Sequence, residues 1–451
     1  MNIENEYNNI NNTGDPNLKT NKLRRIFQKT NLSSKLRIFL FTCNAENITI
    51  SIEDPNDELY VEYRNMIDFL KRQKSKAAIF CFQNDKDNAL FTKTILVKLM
   101  SDAGYILPST NIENPSKKSP DIGEFIPLVG GENVLRTVVF VEEKWWNRLK
   151  SVWWNKMRLN WYKKLIPNKP KKIILDKMAN VQHFTKKCNL TDDNLMILLS
   201  TFQLPTAGKF GIMNVHFKNK EQIFKDLYNK LEEKKRKFFD EYQFQPRARD
   251  VIKLYDSLYE ITRQKVINDY NACLTKVIEK AKEEKVDYLL VAGTVNYRVK
   301  LTREFHNVPR ILEMLSYQYS QISRSIIAKY DEVASQFRSK VIEPLMEGVD
   351  NLGPQFPPTC LLQAERPKKC QHVAIWSENK PMDQSSQLYD EECYALNTTR
   401  NSMGAVGWCN RIFYKKMNKN DRDLNCIYYN SVDLLHYYRN SYRPVMGIFE
   451  I

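Results

Sequence analysis

Glycine is scarce in this sequence, with 13 residues among 451. Such a low share argues against glycine-rich nucleotide-binding loops and against an all-β protein with many tight turns. No stretch approaches 18 uncharged apolar residues, so the sequence predicts no membrane-spanning helix. The first 25 residues lack the apolar segment of a signal peptide, and we therefore expect an intracellular protein, cytosolic or nuclear.

Motifs of familiar catalytic chemistry are missing as well. The sequence has no Cys-x-x-Cys pair, Walker motif, nucleophile elbow or HExxH. Its five histidines are scattered, and none has the spacing of a triad or of a metal pair. On these grounds we predict no catalytic, cofactor-binding or metal-binding residues and a protein that is not an enzyme; an enzyme with an unfamiliar site is the third-ranked alternative.

Basic residues are abundant, with 69 Lys and Arg against 53 Asp and Glu. Residues 143–187 hold thirteen of these cations with only two acids, and five of the seven tryptophans. The apolar positions recur every three or four residues, which predicts a cationic amphipathic helix. Such a helix can lie on an anionic membrane, fill a groove in a partner, bind nucleic acid or pack onto its own domain. The candidate nucleic-acid contacts are Trp145, Trp153, Trp161, Lys156, Lys163 and Lys164.

Apolar periodicity predicts an α/β pattern followed by long helices. We predict strands over 36–42, 48–52, 77–82 and 134–141, and helices over 58–71 and 89–100. Further helices are predicted over 190–204, 224–242, 251–281 and 309–341, and Gly293 is expected to end a helix. The expected fold class is α-rich α+β, with an N-terminal α/β subdomain, a long-helix middle and an irregular C-terminal region rich in cysteine and aromatic residues.

Composition shifts divide the chain into four predicted parts. Residues 1–34 form a polar arm, 35–142 a small α/β subdomain, 143–350 a helical domain, and 351–451 an assembly region. The odd total of nine cysteines leaves at least one thiol without an internal partner. Five of them crowd the last part and are candidates for disulfides between molecules: Cys360, Cys370, Cys393, Cys409 and Cys426.

The polar arm, the helical middle and the late cysteines together resemble the occlusion-body proteins (polyhedrins) of nudiviruses. The resemblance lies in the overall profile rather than in a motif. It implies a mainly helical building block that crystallises inside cells around virions, held by hydrophobic, ionic and disulfide contacts. It also implies that no catalytic residues or cofactors are needed.

We therefore expect a self-assembling structural protein whose partners are its own copies and virions. The arm is too polar to fold alone, and the tail has too many aromatic side chains to stay exposed. The alternative is a nucleic-acid-coating protein, such as a viral nucleoprotein, that uses residues 143–187 for phosphates and base stacking.

Overall fold

The computed structural model describes residues 35–45, 58–83, 95–107, 135–148, 182–190, 193–204, 208–217, 248–298, 331–356, 407–418, 422–432 and 442–451, with residues 229, 233, 236, 237 and 359 described singly. Its strands are β1 (Arg37–Asn44), β2 (Ala77–Gln83), β3 (Tyr105–Ile106), β4 (Arg136–Glu142), β5 (Gln182–Leu190), β6 (Asp193–Leu204), β7 (Gly208–His216), β8 (Tyr288–Thr294), β9 (Met346–Glu347), β10 (Asn410–Lys416), β11 (Asn425–Ser431) and β12 (Val445–Glu450). The helices named below are α1 (Glu58–Arg72), α2 (Val97–Asp102), α3 (Ala248–Glu283) and α4 (Glu332–Arg338).

The strands form two six-stranded mixed sheets with matching plans. Sheet A has the order β11-β12-β1-β2-β4-β3, and sheet B the order β5-β6-β7-β8-β10-β9. In each sheet the two central strands are parallel and all other pairs are antiparallel. Parallel neighbours require a crossover. Helix α1 lies in the connection from β1 to β2, and α3 in the connection from β7 to β8.

The sheets stack face to face between two layers of helices. Side chains alternate between the two faces of a strand, so each sheet has an inner and an outer face. The outer face of sheet A packs against α1 and α2, and the outer face of sheet B packs against α3 and α4. A third apolar cluster fills the space between the inner faces. The architecture is therefore a four-layer α/β sandwich.

This architecture contradicts the α-rich fold class expected from the sequence. Residues 190–204, predicted as a helix, contain strand β6, which lies between β5 and β7 in sheet B. A strand inside a covered sheet is apolar on both faces, and a short apolar run cannot be told from a buried helix by periodicity. Strands β5 and β7 were not predicted at all.

Gly293 also differs from its predicted role, because it lies within strand β8 rather than at the end of a helix. Its φ is +144°, and a Cβ atom placed there would lie 1.9 Å from the carbonyl oxygen of Val215 on β7. Glycine is needed here because two backbones approach closely.

Several N-terminal elements are confirmed. The structure has strands in the predicted ranges 36–42, 77–82 and 134–141, and α1 occupies the predicted range 58–71. Helix α3 covers the predicted range 251–281. The predicted strand 48–52 and most of the helices predicted over 224–242 and 309–341 lie outside the described residues. No helix of the described part is long and apolar enough to cross a membrane.

The aromatic tail is covered by its own chain. Trp408, Phe413, Tyr429 and Tyr442 are all less than a tenth exposed, and β12 pairs with β1 in the centre of sheet A. The exposed aromatic surface that motivated self-assembly is therefore used inside the sandwich. The division of the chain into four parts stays a prediction.

Candidate functional site

The inner faces of the central strands change from apolar to polar at one edge of the sandwich. Near their amino ends, the side chains between the sheets are apolar. Toward the carboxyl ends the same alternating positions are polar, as is the first residue of β10. This set, named the polar edge, comprises Thr42, Asn44, Gln83, Asn214, His216, Thr294, Asn296 and Asn410. Each is less than a tenth exposed. In open α/β sheets, ligands bind beyond the carboxyl ends of the strands.

A hydrogen-bonded bridge joins the two sheets at this edge. Gln83 Nε2 donates to Asn214 Oδ1 at 2.7 Å and to Thr42 Oγ1 at 3.1 Å. Asn214 Nδ2 donates in turn to the main-chain oxygens of Phe82 at 3.0 Å and Arg136 at 2.9 Å. Strand β7 of sheet B is thus hydrogen-bonded to β2 and β4 of sheet A, and Gln83 links this bridge to β1.

A second group extends the polar edge along sheet B. Thr294 Oγ1 donates to Asn410 Oδ1 at 2.8 Å, and Asn410 Nδ2 donates to the Arg443 oxygen at 2.7 Å. Asn296 Nδ2 donates to the oxygen of Phe217, the residue after His216. Asn296 has φ +53°, a left-handed conformation that asparagine adopts more readily than most residues.

Three polar atoms of the edge have no hydrogen-bond partner among the described residues: His216 Nδ1, Asn296 Oδ1 and Gln83 Oε1. Burial lowers the pKa of His216 to about 4, so its ring is neutral at pH 7. The two amide oxygens can only accept, and Nδ1 accepts when the ring proton is on Nε2. A buried polar atom left unpaired costs about 1–3 kcal/mol, so this arrangement favours a ligand that donates hydrogen bonds.

The chemical character of the polar edge is neutral. Its described members are amides, hydroxyls and one uncharged imidazole, without a carboxylate. Among the residues that the structure describes, no group of three or more His, Cys, Asp or Glu side chains is placed to hold a metal ion. The edge can bind through hydrogen bonds and can accept a proton at His216.

The late cysteines lie partly in the core. Cys409 and Cys426 are buried, and Arg298 Nη1 donates to Cys409 Sγ at 2.8 Å. Burial raises the pKa of Cys426 to about 12. Cys360, Cys370 and Cys393 lie outside the described residues, and disulfides between molecules stay a prediction.

Of the predicted nucleic-acid contacts, the described residues include Trp145. Trp145 is buried in the apolar cluster between the sheets, next to Trp146, and the described part of the predicted helix covers residues 143–148. Trp153, Trp161, Lys156, Lys163 and Lys164 lie outside the described residues.

The polar edge itself was missed by sequence reasoning. His216 was dismissed together with the other four histidines because none of them has the spacing of a triad or of a metal pair. A usable pattern does exist, since β1 and β2 are largely apolar runs that end in Asn44 and Gln83. Polar residues closing buried strands are candidates for a shared edge, although only the strand order brings them together.

Comparisons with known proteins gave structural similarities only. No family model matches the chain, and no curated protein does. A crystal structure of a Cimex nitrophorin mutant as its ferrous NO complex has a TM-score of 0.45 at 12% identity, covering 92% of this chain and 98% of that one. The inositol polyphosphate 5-phosphatase domain of spSynaptojanin has a TM-score of 0.44 at 14% identity, covering 95% and 89%. An endonuclease/exonuclease/phosphatase family protein from Bacteroides thetaiotaomicron has 0.34 at 8% identity, covering 92% and 98%.

The function expected from the sequence is corrected at this point. The C-terminal strands complete the two sheets instead of lying uncovered, so these strands give no reason for self-assembly. The predicted occlusion-body protein, the nucleic-acid-coating alternative and the prediction that the chain is not an enzyme are replaced by the proposal below.

Proposed function

We propose that the polar edge binds a small hydroxyl-rich ligand and that His216 accepts a proton from a hydroxyl of that ligand or from a water molecule beside it. The proposal makes the chain an enzyme when the bound ligand is a phosphate monoester. The water beside Nδ1 then attacks the phosphorus, the bond between phosphorus and the ligand oxygen breaks, and the proton that His216 takes from the water is returned to that oxygen. The observation that carries it is the set of three buried atoms without partners at one edge, His216 Nδ1, Asn296 Oδ1 and Gln83 Oε1.

Hydroxyl groups suit this edge because they donate to neutral acceptors. Oxygen atoms of amides bind hydroxyl donors without requiring a charge on the ligand. The low pKa of His216 keeps Nδ1 free to accept at neutral pH. Asn296 Nδ2 donates to the main-chain oxygen of Phe217, the residue after His216, and we propose that a ligand with adjacent hydroxyls reaches both Asn296 Oδ1 and the imidazole.

Calorimetric titration with myo-inositol, D-ribose, D-glucose and their monophosphates tests the proposal. We expect at least one of these to bind, and the change His216→Leu to weaken its binding by about tenfold, the loss of one hydrogen bond. Release of inorganic phosphate from the monophosphates, or exchange of a ligand proton, reports turnover. The control is Gln264→Ala on the exposed side of α3. Equal binding by the His216→Leu variant would contradict the role of the imidazole.

The pH dependence of binding supplies an independent check. Because burial holds the pKa of His216 near 4, the ring stays neutral from pH 8 to about 5. We expect binding to be constant over that range and to fall as the pH drops toward 4, with circular dichroism confirming that the protein stays folded. A fall centred near the ordinary histidine value of about 6.5 would show a solvated imidazole and contradict the site.

A further inference from the structure

The polar edge is assembled from two sheets that belong to different parts of the chain. Asn44 and Gln83 come from sheet A, whereas His216 and Asn296 come from sheet B. A ligand that contacts both sides needs a fixed distance between the sheets. Most of the surface between them is apolar, and apolar packing is non-directional, so it does not by itself fix one lateral position of the sheets.

Asn214 makes directional contacts across this gap. Its amide takes part in three hydrogen bonds, two donated to main-chain oxygens and one accepted from Gln83. The two oxygens belong to Phe82 and Arg136, which face each other across β2 and β4. One side chain of sheet B therefore binds two neighbouring strands of sheet A near their ends.

Gln83 completes the bridge and also faces the ligand side. Its Nε2 is shared between Asn214 and Thr42, which leaves Oε1 as the atom without a partner among the described residues. The bridge thus fixes the orientation of an amide whose free oxygen is one of the three acceptors. Rotation of Gln83 by half a turn would exchange its acceptor for a donor.

His216 lies directly downstream of the bridge. It is two residues after Asn214 on β7 and on the same face, a separation of about 6.5–7 Å along a strand. On its other side, the carbonyl of Phe217 is held by Asn296. The backbone around His216 is consequently fixed on both sides by amide side chains.

We propose that Asn214 and Gln83 are positioning residues that set the distance and orientation between the sheet A half and the sheet B half of the polar edge. The proposal deepens the proposed function and rests on it. Neither residue needs to exchange a proton with the ligand. Their effect reaches the ligand through the placement of His216 and of Gln83 Oε1.

Two variants and one matched control test this role in the full chain. Gln83→Met keeps the side-chain length but removes both the bond to Asn214 Oδ1 and the acceptor Oε1, so for this variant the His216 spectrum, and not the binding loss, reports positioning. Asn214→Asp removes the two donated bonds and leaves Gln83 Oε1 in place. The control is Asn271→Leu on the outer side of sheet B, which breaks a half-buried amide pair, Asn271 with Gln336, and removes the acceptor of the Tyr297 hydroxyl without touching the bridge. All three lose stability, but only the first two change the bridge.

The first measurement is the nuclear magnetic resonance spectrum of the His216 imidazole, and the second is the dissociation constant for myo-inositol. We expect shifted or broadened His216 resonances in Gln83→Met and Asn214→Asp, with binding weakened about tenfold, and an unchanged His216 spectrum in Asn271→Leu. Unchanged His216 resonances in folded Gln83→Met would overturn the proposal. If Asn214→Asp fails to fold, the His216 spectrum of Gln83→Met alone decides whether the positioning role is correct.

The two readouts separate this inference from the proposed function. The imidazole spectrum is recorded without ligand, so it tests the positioning role even where myo-inositol does not bind the unmodified protein. Absence of binding together with altered His216 resonances would count against the proposed ligand and in favour of the positioning role. Normal binding with unaltered His216 resonances in Gln83→Met would count against the positioning role and in favour of the proposed ligand.

Discussion

Arg411 shows how much a single buried side chain can control. It is fully buried on β10, and its two terminal nitrogens donate to the carboxylate of Asp331 at 2.8 Å each. Its Nε donates to Glu347 at 2.9 Å, and the Tyr429 hydroxyl donates to the same carboxylate at 2.7 Å. One cation is thus shared by two buried anions that come from different elements of sheet B and its helix layer.

Removing this cation should be severe, because two buried carboxylates lose their partner. We predict that Arg411→Leu lowers the free energy of unfolding by about 3–5 kcal/mol in urea titration. Glu347→Gln should cost much less, since it leaves Arg411 and Asp331 as a balanced pair. Equal losses of unfolding free energy in Arg411→Leu and Glu347→Gln would show that the balance of positive and negative charges does not determine the stability of this cluster.

The same cluster predicts a pH effect with a defined sign. Burial raises the pKa of Glu347 above its ordinary value of 4.5, Arg411 opposes the rise and Asp331 adds to it. The native state therefore holds this proton more tightly than the unfolded state. The stabilising contribution is complete below pH 4.5 and is lost as the pH rises through the raised pKa. The difference in the free energy of unfolding between the unmodified protein and Glu347→Gln should thus shrink from pH 4 to pH 7. Urea titrations at both pH values measure this difference, and an equal difference at the two values would contradict the prediction.

At the scale of elements, the parallel pair at the centre of sheet B depends on Gly293. An added Cβ would lie 1.9 Å from the Val215 oxygen, and φ is +144°. We predict that Gly293→Ala lowers the free energy of unfolding by at least about 2 kcal/mol, from strain and forced separation of β7 and β8. Gly104→Ala is the matched control, because its φ is +84° but nothing lies within 4 Å of the new atom. Similar melting temperatures for the two variants would contradict the close-approach explanation.

Helix α1 was predicted correctly because one of its sides is apolar and packs against sheet A. Strands β1, β2 and β4 were also predicted correctly, although both of their faces are covered. Strands β6 and β8 are apolar runs of the same kind and were assigned to helices, because such runs carry no period of two and cannot be told from a buried helix by periodicity. The polar edge could not be predicted from the sequence, since Gln83 of sheet A and Asn214 of sheet B meet only through the stacking of the two sheets.

At the scale of the whole molecule, one apolar cluster joins both sheets. Phe449 of β12 is fully buried in it and contacts Tyr414 of sheet B at a ring distance of 5.3 Å. We predict that Phe449→Ala lowers the free energy of unfolding by about 3–5 kcal/mol and destabilises both sheets equally. Hydrogen exchange of amides in β2 and in β8 measures this. Protection lost in sheet A but kept in sheet B would show that the two sheets unfold separately.

The pairing of β1 with β12 has a consequence for the synthesis of the protein on the ribosome. Arg37 and Glu450, which are joined by a hydrogen bond, are 413 positions apart in sequence. At a synthesis rate of roughly 5–20 residues per second, β1 emerges about 20–80 s before the strand that covers its edge. Phe39 and Phe41 pack against α1, which is made directly after β1, whereas the edge of β1 that faces β12 has no strand partner during that interval. An unpaired strand edge can pair with another chain, so we expect nascent chains that lack β12 to associate more readily than full chains.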